Sequence, residues 1–172
     1  MIKRCIKIEK TAPYLFAAVL AFLVFHLLNQ NMELALKPHV TAMWILYQMQ
    51  FEFIPNIGYG EVHGLFIIGM NCLGGKLFIC LFFILVICRL DSFNGIIKKI
   101  YKIQSYCVFS VLLSYTITMF RIAASVPFCQ MSDFKLIHTL LSLMIYFGSG
   151  LGLYAILNTP LRGEGGLGFE DK

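Results

Sequence analysis

The sequence predicts an all-α integral membrane protein. It has about four transmembrane helices, both termini cytoplasmic, and an amphipathic helix lying at the outer interface. Three observations carry this. The chain of 172 residues is 59% hydrophobic and only 13% charged, against roughly 25% charged in a soluble domain. Its mean hydropathy of +0.78 implies more apolar surface than a soluble fold of this length can hide, because small folds have too much surface for their volume. The basic residues gather in short clusters between apolar runs, which is how membrane proteins mark their cytoplasmic side. The length suits one membrane domain over residues 1–172.

Residues 1–11 form a basic, cytoplasmic N-terminus with Lys3, Arg4, Lys7 and Lys10. The uncharged run from Ala12 to Leu28 follows, and at 1.5 Å per residue it reaches about 26 Å, enough for a short span. No small-residue cleavage site follows it, so it is expected to be a retained helix. Residues 29–63 are mixed. Within them "VTAMWILYQMQFEFI", residues 40–54, is apolar but interrupted by Gln48, Gln50 and Glu52. It reads as the interfacial helix, with Trp44 and Tyr47 at headgroup level.

A second apolar run covers 64–90 and ends at Arg89, before a basic cluster of Lys98, Lys99 and Lys102. A third, 103–120, leads to Arg121, and a short outer loop over 125–134 holds Pro127 and Asp133. A fourth run, 135–158, ends at a glycine-rich polar tail, 159–172, expected to be flexible and cytoplasmic. Under this topology Lys3, Arg4, Lys7, Lys10, Arg89, Lys98, Lys99, Lys102, Arg162 and Lys172 lie inside, and only Lys37, Lys76, Arg121 and Lys135 do not. The net charge of +5 is therefore a membrane signature and implies no nucleic acid. The six cysteines show no C-x-x-C and no zinc spacing, and no metal is expected.

The topology places three chemically capable residues at one depth on three helices. Cys72 starts the second span, Arg121 closes the third, and His138 lies one turn into the fourth. Each alone has an ordinary reading, as a small packed hydrophobe, a snorkelling cation and an interfacial imidazole. Ionisable groups in a membrane are nonetheless functional candidates, because burying them is costly. Lys76, four residues after Cys72, would share a helical face with it, and a nearby cation favours a thiolate. Gly148 and Gly152 form a small-xxx-small pattern suited to close helix packing.

A Cys followed by x-Gly at an outer membrane face, an Arg closing the next helix and a His opening the last one resemble the exosortase/archaeosortase family of multi-spanning membrane cysteine transpeptidases. "NCLGG", "TMFRIAAS" and "IHTLLSLMIYFGSGLGLY" are most similar to the small exosortase K type, and the resemblance covers a core of about residues 64–158. Leu73, Lys76, Thr118 and Ser142 stand where many members carry Ser, Arg, Asn and Gly. The resemblance implies a triad of Cys72, Arg121 and His138 in the bacterial plasma (inner) membrane, multi-pass, with the active site at the outer face. Its implied partner is an exported protein ending in a short motif, a membrane helix and a basic tail.

The residues and the resemblance converge on acyl transfer. Cys72 would attack a peptide carbonyl to give a thioacyl-enzyme. His138 would move the proton, and Arg121 would stabilise the oxyanion. Lys76, Asn71, Gly74 and Thr118 are supporting residues, and His63, nine residues before Cys72, is an alternative base. No organic cofactor is required, and the lipid bilayer is the other partner. Two rivals remain open: a thiol–disulfide membrane oxidoreductase using Cys72 and Cys129, and a non-enzymatic membrane assembly partner.

Overall fold

The computed structural model describes residues 2–64 and 66–159. The side chains of the first ten residues, with their basic cluster, and the tail from residue 160 onward lie outside the described residues. Among the described residues, four helices are long and apolar enough to cross a membrane: the Thr11–Gln30 part of α1 (Ile2–Gln30), Met70–Ser92 around α3 (Gly75–Arg89), the Ile96–Phe128 stretch holding α4 (Ile96–Ser125), and α5 (Phe134–Asn158). Between α1 and α3 stand α2 (Met32–Tyr47) and three short strands, β1 (Phe51–Ile54), β2 (Gly58–Glu61) and β3 (Ile67–Gly69).

The helices form a bundle with α3 at its centre, touching α1, α4 and α5. Its buried stripe of Leu77, Phe78, Leu81, Phe82, Leu85 and Val86 follows the i, i+4 rows of a helix. Phe78, Phe82 and Val86 meet Ala17 and Ala21 of α1 and Ile103 and Cys107 of α4. At one end of the bundle Arg89 donates to the Leu157 carbonyl (3.1 Å) and Tyr14 to Asp91 (2.9 Å), tying the finish of α3 to α5 and α1. α5 is the outermost helix: Gly150 is its sole buried residue, and Leu140, Leu143, Met144, Phe147 and Leu151 face outward, as lipid-facing side chains do. Gly148 and Gly152 also face open space, so among the described residues the small-residue pattern packs against nothing.

Three expectations are refined. The chain is mostly α-helical, with one small sheet. Residues 51–69 fold into an antiparallel meander of order β1-β2-β3, with Phe53 opposite Tyr59 and Tyr59 opposite Ile68. The helix expected over 40–54 therefore ends at Tyr47, where Gln48 turns left-handed at φ 54°. From there the pattern changes period: Phe51 and Phe53 turn inward while Glu52 and Ile54 face out, the alternation of a half-buried strand. Gly58, at φ 131°, is obligatory, because a Cβ there would run into the Ile68 carbonyl oxygen across the β2–β3 pairing.

The third correction concerns boundaries. The helix of the second run begins at Gly75 and not near residue 64. α4 begins at Ile96, after Gly95 at φ 91°, and so includes Lys98, Lys99 and Lys102. α5 matches the expected 135–158 to within one residue.

α2, with 16 residues, is not among the four spanning candidates. It is tied along α4 at two points: Tyr115 donates to the Ala35 carbonyl (2.9 Å) and Tyr47 to the Ala123 carbonyl (2.8 Å). Its buried face of Met32, Leu36, His39 and Met43 joins Tyr59, Ile68, Leu73 and Ile122 in a second core, with Cys72 at its edge. This second core is what supports the turn that carries the thiol.

Candidate functional site

The site begins with a turn. Met70–Cys72 is a single 3-10 turn between β3 and α3. Gly74 follows at φ 71°, a left-handed conformation, and caps α3. A Cβ on Gly74 would lie 2.5 Å from Thr118 Oγ1 and 3.1 Å from the Ser114 carbonyl oxygen. The missing side chain lets the turn press onto α4 within one helical turn of Arg121. Leu73, 1% exposed, anchors the same turn in the second core. That gives Leu73 a physical role in holding the turn.

This geometry corrects the reading of Lys76. Cys72 is not helical, so Cys72 and Lys76 do not share a helical face; the left-handed Gly74 stands between them. Lys76 is exposed and Cys72 half-buried.

Arg121 is the hub. It is buried, only 4% exposed, and each end of its guanidinium is engaged. Nη2 lies 3.3 Å from Cys72 Sγ, and Nη1 donates to Ser142 Oγ at 3.4 Å. The Tyr146 ring lies under the guanidinium, 5.1 Å from centroid to Cζ, in cation–π range. Ser142 in turn donates to the His138 carbonyl at 2.6 Å. A continuous polar path therefore runs from Cys72 through Arg121 and Ser142 to the turn of α5 that carries His138.

His138 is half-buried, tilts against Phe134 at 5.7 Å, and has a buried Nδ1 without a partner. It lines an open cavity of about 430 Å³ together with Arg121, Ser142 and Tyr146, and Asn71, Gly74 and Lys76 close the other side. A larger cavity, about 640 Å³, lies between the α1–α2 junction and the β1–β2 turn, and Met70 borders it. Met70 thus borders one cavity and its neighbour Asn71 the other.

The structure brings Cys72, Arg121, His138, Asn71, Gly74, Thr118 and Lys76 to one place. It does not bring His63 there: this residue is exposed in the turn after β2, with its backbone N–H on the Glu61 carboxylate (2.9 Å). Ser142 and Tyr146 were not among the expected site residues. Their spacing of four and eight from His138 puts all three on one face of a helix, which is the signal in the sequence that marks them. The five described cysteines, Cys72, Cys80, Cys88, Cys107 and Cys129, are free thiols. Among the described residues, no three His, Cys, Asp or Glu side chains converge as a metal site would require.

A half-buried thiol beside a buried guanidinium, with an imidazole lining the cavity that this guanidinium borders, offers a nucleophile, an anion-stabilising donor and a proton carrier. No family model matches the chain, and no curated protein or solved structure matches it.

Proposed function

We propose that the chain is a membrane cysteine peptidase or transpeptidase that cuts the C-terminal sorting signal from exported proteins. In this reading it sits in the bacterial plasma membrane with both termini cytoplasmic and the Cys72 cavity at the outer face. The observation that carries it is the 3.3 Å contact between the Cys72 sulfur and Arg121, which lines a cavity together with His138.

The chemistry follows from the roles. His138 takes the thiol proton as Cys72 Sγ bonds to the carbonyl carbon of the scissile peptide. The carbonyl oxygen becomes an oxyanion facing Arg121. Collapse of this intermediate breaks the C–N bond, and His138 returns the proton to the leaving amine. Water, or a hydroxyl or amine of a surface acceptor, then attacks the thioester and regenerates the Cys72 thiol. A fixed cation in a water-poor site is worth more than in solvent. Met70 borders one cavity and Asn71 another, which suits an extended peptide passing the Met70–Cys72 turn. A substrate helix beside α3 and α5 would keep its basic tail inside by the positive-inside rule.

The test is co-expression with a secreted protein that ends in a motif, a membrane helix and a basic tail. Cys72→Ala, Arg121→Ala and His138→Ala each abolish its shortening, while Cys80→Ala and Cys88→Ala do not. Full processing by Cys72→Ala overturns the proposal.

A further inference from the structure

The sheet has a free edge that leads to the thiol. Its strand order is β1-β2-β3, so β1 and β3 are its two edges. The register decides which backbone groups the β3 edge presents. Tyr59 stands opposite Ile68, and two residues along, the Glu61 N–H donates to the Phe66 carbonyl at 3.1 Å. In an antiparallel ladder bonded pairs alternate with unbonded ones. Ile68 is therefore bonded to β2. Ile67 and Gly69, opposite Gly60 and Gly58, turn their N–H and C=O groups away from it. Among the described residues, no backbone bond outside the sheet engages Ile67 or Gly69.

The two edges are not alike. β1 carries the exposed Glu52, and charge on an edge strand discourages pairing with another chain. β3 is Ile67-Ile68-Gly69, with no charge and no proline, and Ile67 is exposed. An unguarded edge of this kind is a template for an extended polypeptide. Where the edge leads selects the occupant. β3 runs directly into the Met70–Cys72 turn, so the thiol follows Gly69 after a single 3-10 turn. A strand laid along β3 is delivered to Cys72.

We propose that β3 is the docking strand for the substrate. The extended segment beside the scissile bond adds to the sheet as a further strand, its main chain bonded to Ile67 and Gly69, and this pairing brings its carbonyl to the Cys72 sulfur. Such bonds join peptide N–H to peptide C=O, so they select an extended backbone and not particular side chains. The segment runs parallel to β3, because both chains then pass from the outer face toward a helix that enters the membrane. The inference rests on the peptidase reading of Cys72.

The first test removes one donor. Ile67→Pro deletes the outward N–H and leaves the β2 pairing in place, since an edge strand accepts proline where its N–H faces out. Ile67→Ala keeps the N–H and loses the side chain. With the full-length chain in detergent and the sorting-signal substrate described above, Ile67→Pro raises KM about tenfold, the scale of one hydrogen bond. Ile67→Ala raises it less. Iodoacetamide alkylates Cys72 at the wild-type rate in both, as an undisturbed turn requires. An unchanged KM in Ile67→Pro, or equal changes in the two variants, overturns the proposal.

The second test needs no turnover. Ile67→Cys in a Cys72→Ala chain is treated with a short bismaleimide, together with substrates carrying single cysteines at successive positions around the cut site. Positions two apart cross-link and the one between does not, the period of a strand. Cys72→Ala alone lacks the pattern. If Ile67→Pro fails to accumulate or alters Cys72 alkylation, this test decides. Any other period, or cross-links between two copies of the chain in place of substrate, overturns the proposal. A substrate that is cut but gives no such pattern removes this inference alone. A substrate left uncut by the wild-type chain removes the peptidase reading and this inference with it.

Discussion

Arg121 Nη2 lies 3.3 Å from Cys72 Sγ, across 49 residues of sequence and between two elements of different kinds, a 3-10 turn and the last turns of a long helix. The same guanidinium reaches Ser142 with Nη1 and rests on the Tyr146 ring. A planar fork makes these contacts together; a single ammonium group cannot.

Arg121→Lys therefore keeps the charge and loses the geometry. On the proposed function, its rate of sorting-signal cleavage falls by on the order of 10²–10³, the scale of a lost oxyanion donor, while its level in the membrane is unchanged. The measurement is the initial rate of substrate shortening at matched protein amounts. A rate within a few-fold of wild type shows that charge alone suffices and that the fork plays no part.

Gly74→Ala tests the turn. A Cβ would meet Thr118 Oγ1 at 2.5 Å and the Ser114 carbonyl oxygen at 3.1 Å, and the backbone is left-handed at φ 71°. A left-handed non-glycine residue alone costs about 1–2 kcal/mol, and the clash adds to it. The variant is expected to unfold at lower temperature in detergent and to process substrate poorly. Thr118→Ala in the same chain removes only the hydroxyl clash, so it rescues the variant in part. Complete rescue by Thr118→Ala counts against a role for the left-handed backbone.

His39 predicts a pH dependence of stability. Its folded pKa of about 4 lies below the unfolded value near 6.5. Between these the unfolded chain binds the extra proton, so stability falls as pH drops from about 6.5 to 4 and is level above that window with respect to this group. The depression is worth at most about 3 kcal/mol. Thermal unfolding of wild type and His39→Phe between pH 4 and pH 8 checks it. The difference between them should change across the acid range and stay constant from pH 7 upward, and a constant difference throughout removes His39 as the source.

The helices of the bundle were legible because lipid-facing segments must be long, apolar and uncharged, and α5 in particular falls where its apolar run falls. The sheet was less so. Phe51-Glu52-Phe53 does alternate, and Gly58 and Gly60 are strand-pairing signals in hindsight, but four-residue strands carry too little pattern to outweigh the helical stretch before them. The start of α3 is hidden in the sequence because Gly74 interrupts an apolar run without changing its hydropathy.

By itself the sequence determined a multi-helix, lipid-facing chain, through apolar runs of spanning length, and singled out Cys72, Arg121 and His138 as costly or reactive groups near one depth. It also contained the spacing that marks Ser142 and Tyr146. Only the tertiary structure decided that Cys72 sits on a turn and not on a helix, that Gly74 lets this turn reach α4, and that His39 is buried within electrostatic reach of Arg121. The reason is physical. Hydropathy and periodicity are local properties of a few turns of chain, whereas the contact of a sulfur with a guanidinium depends on how α2, the sheet, α4 and α5 pack, which no single segment encodes.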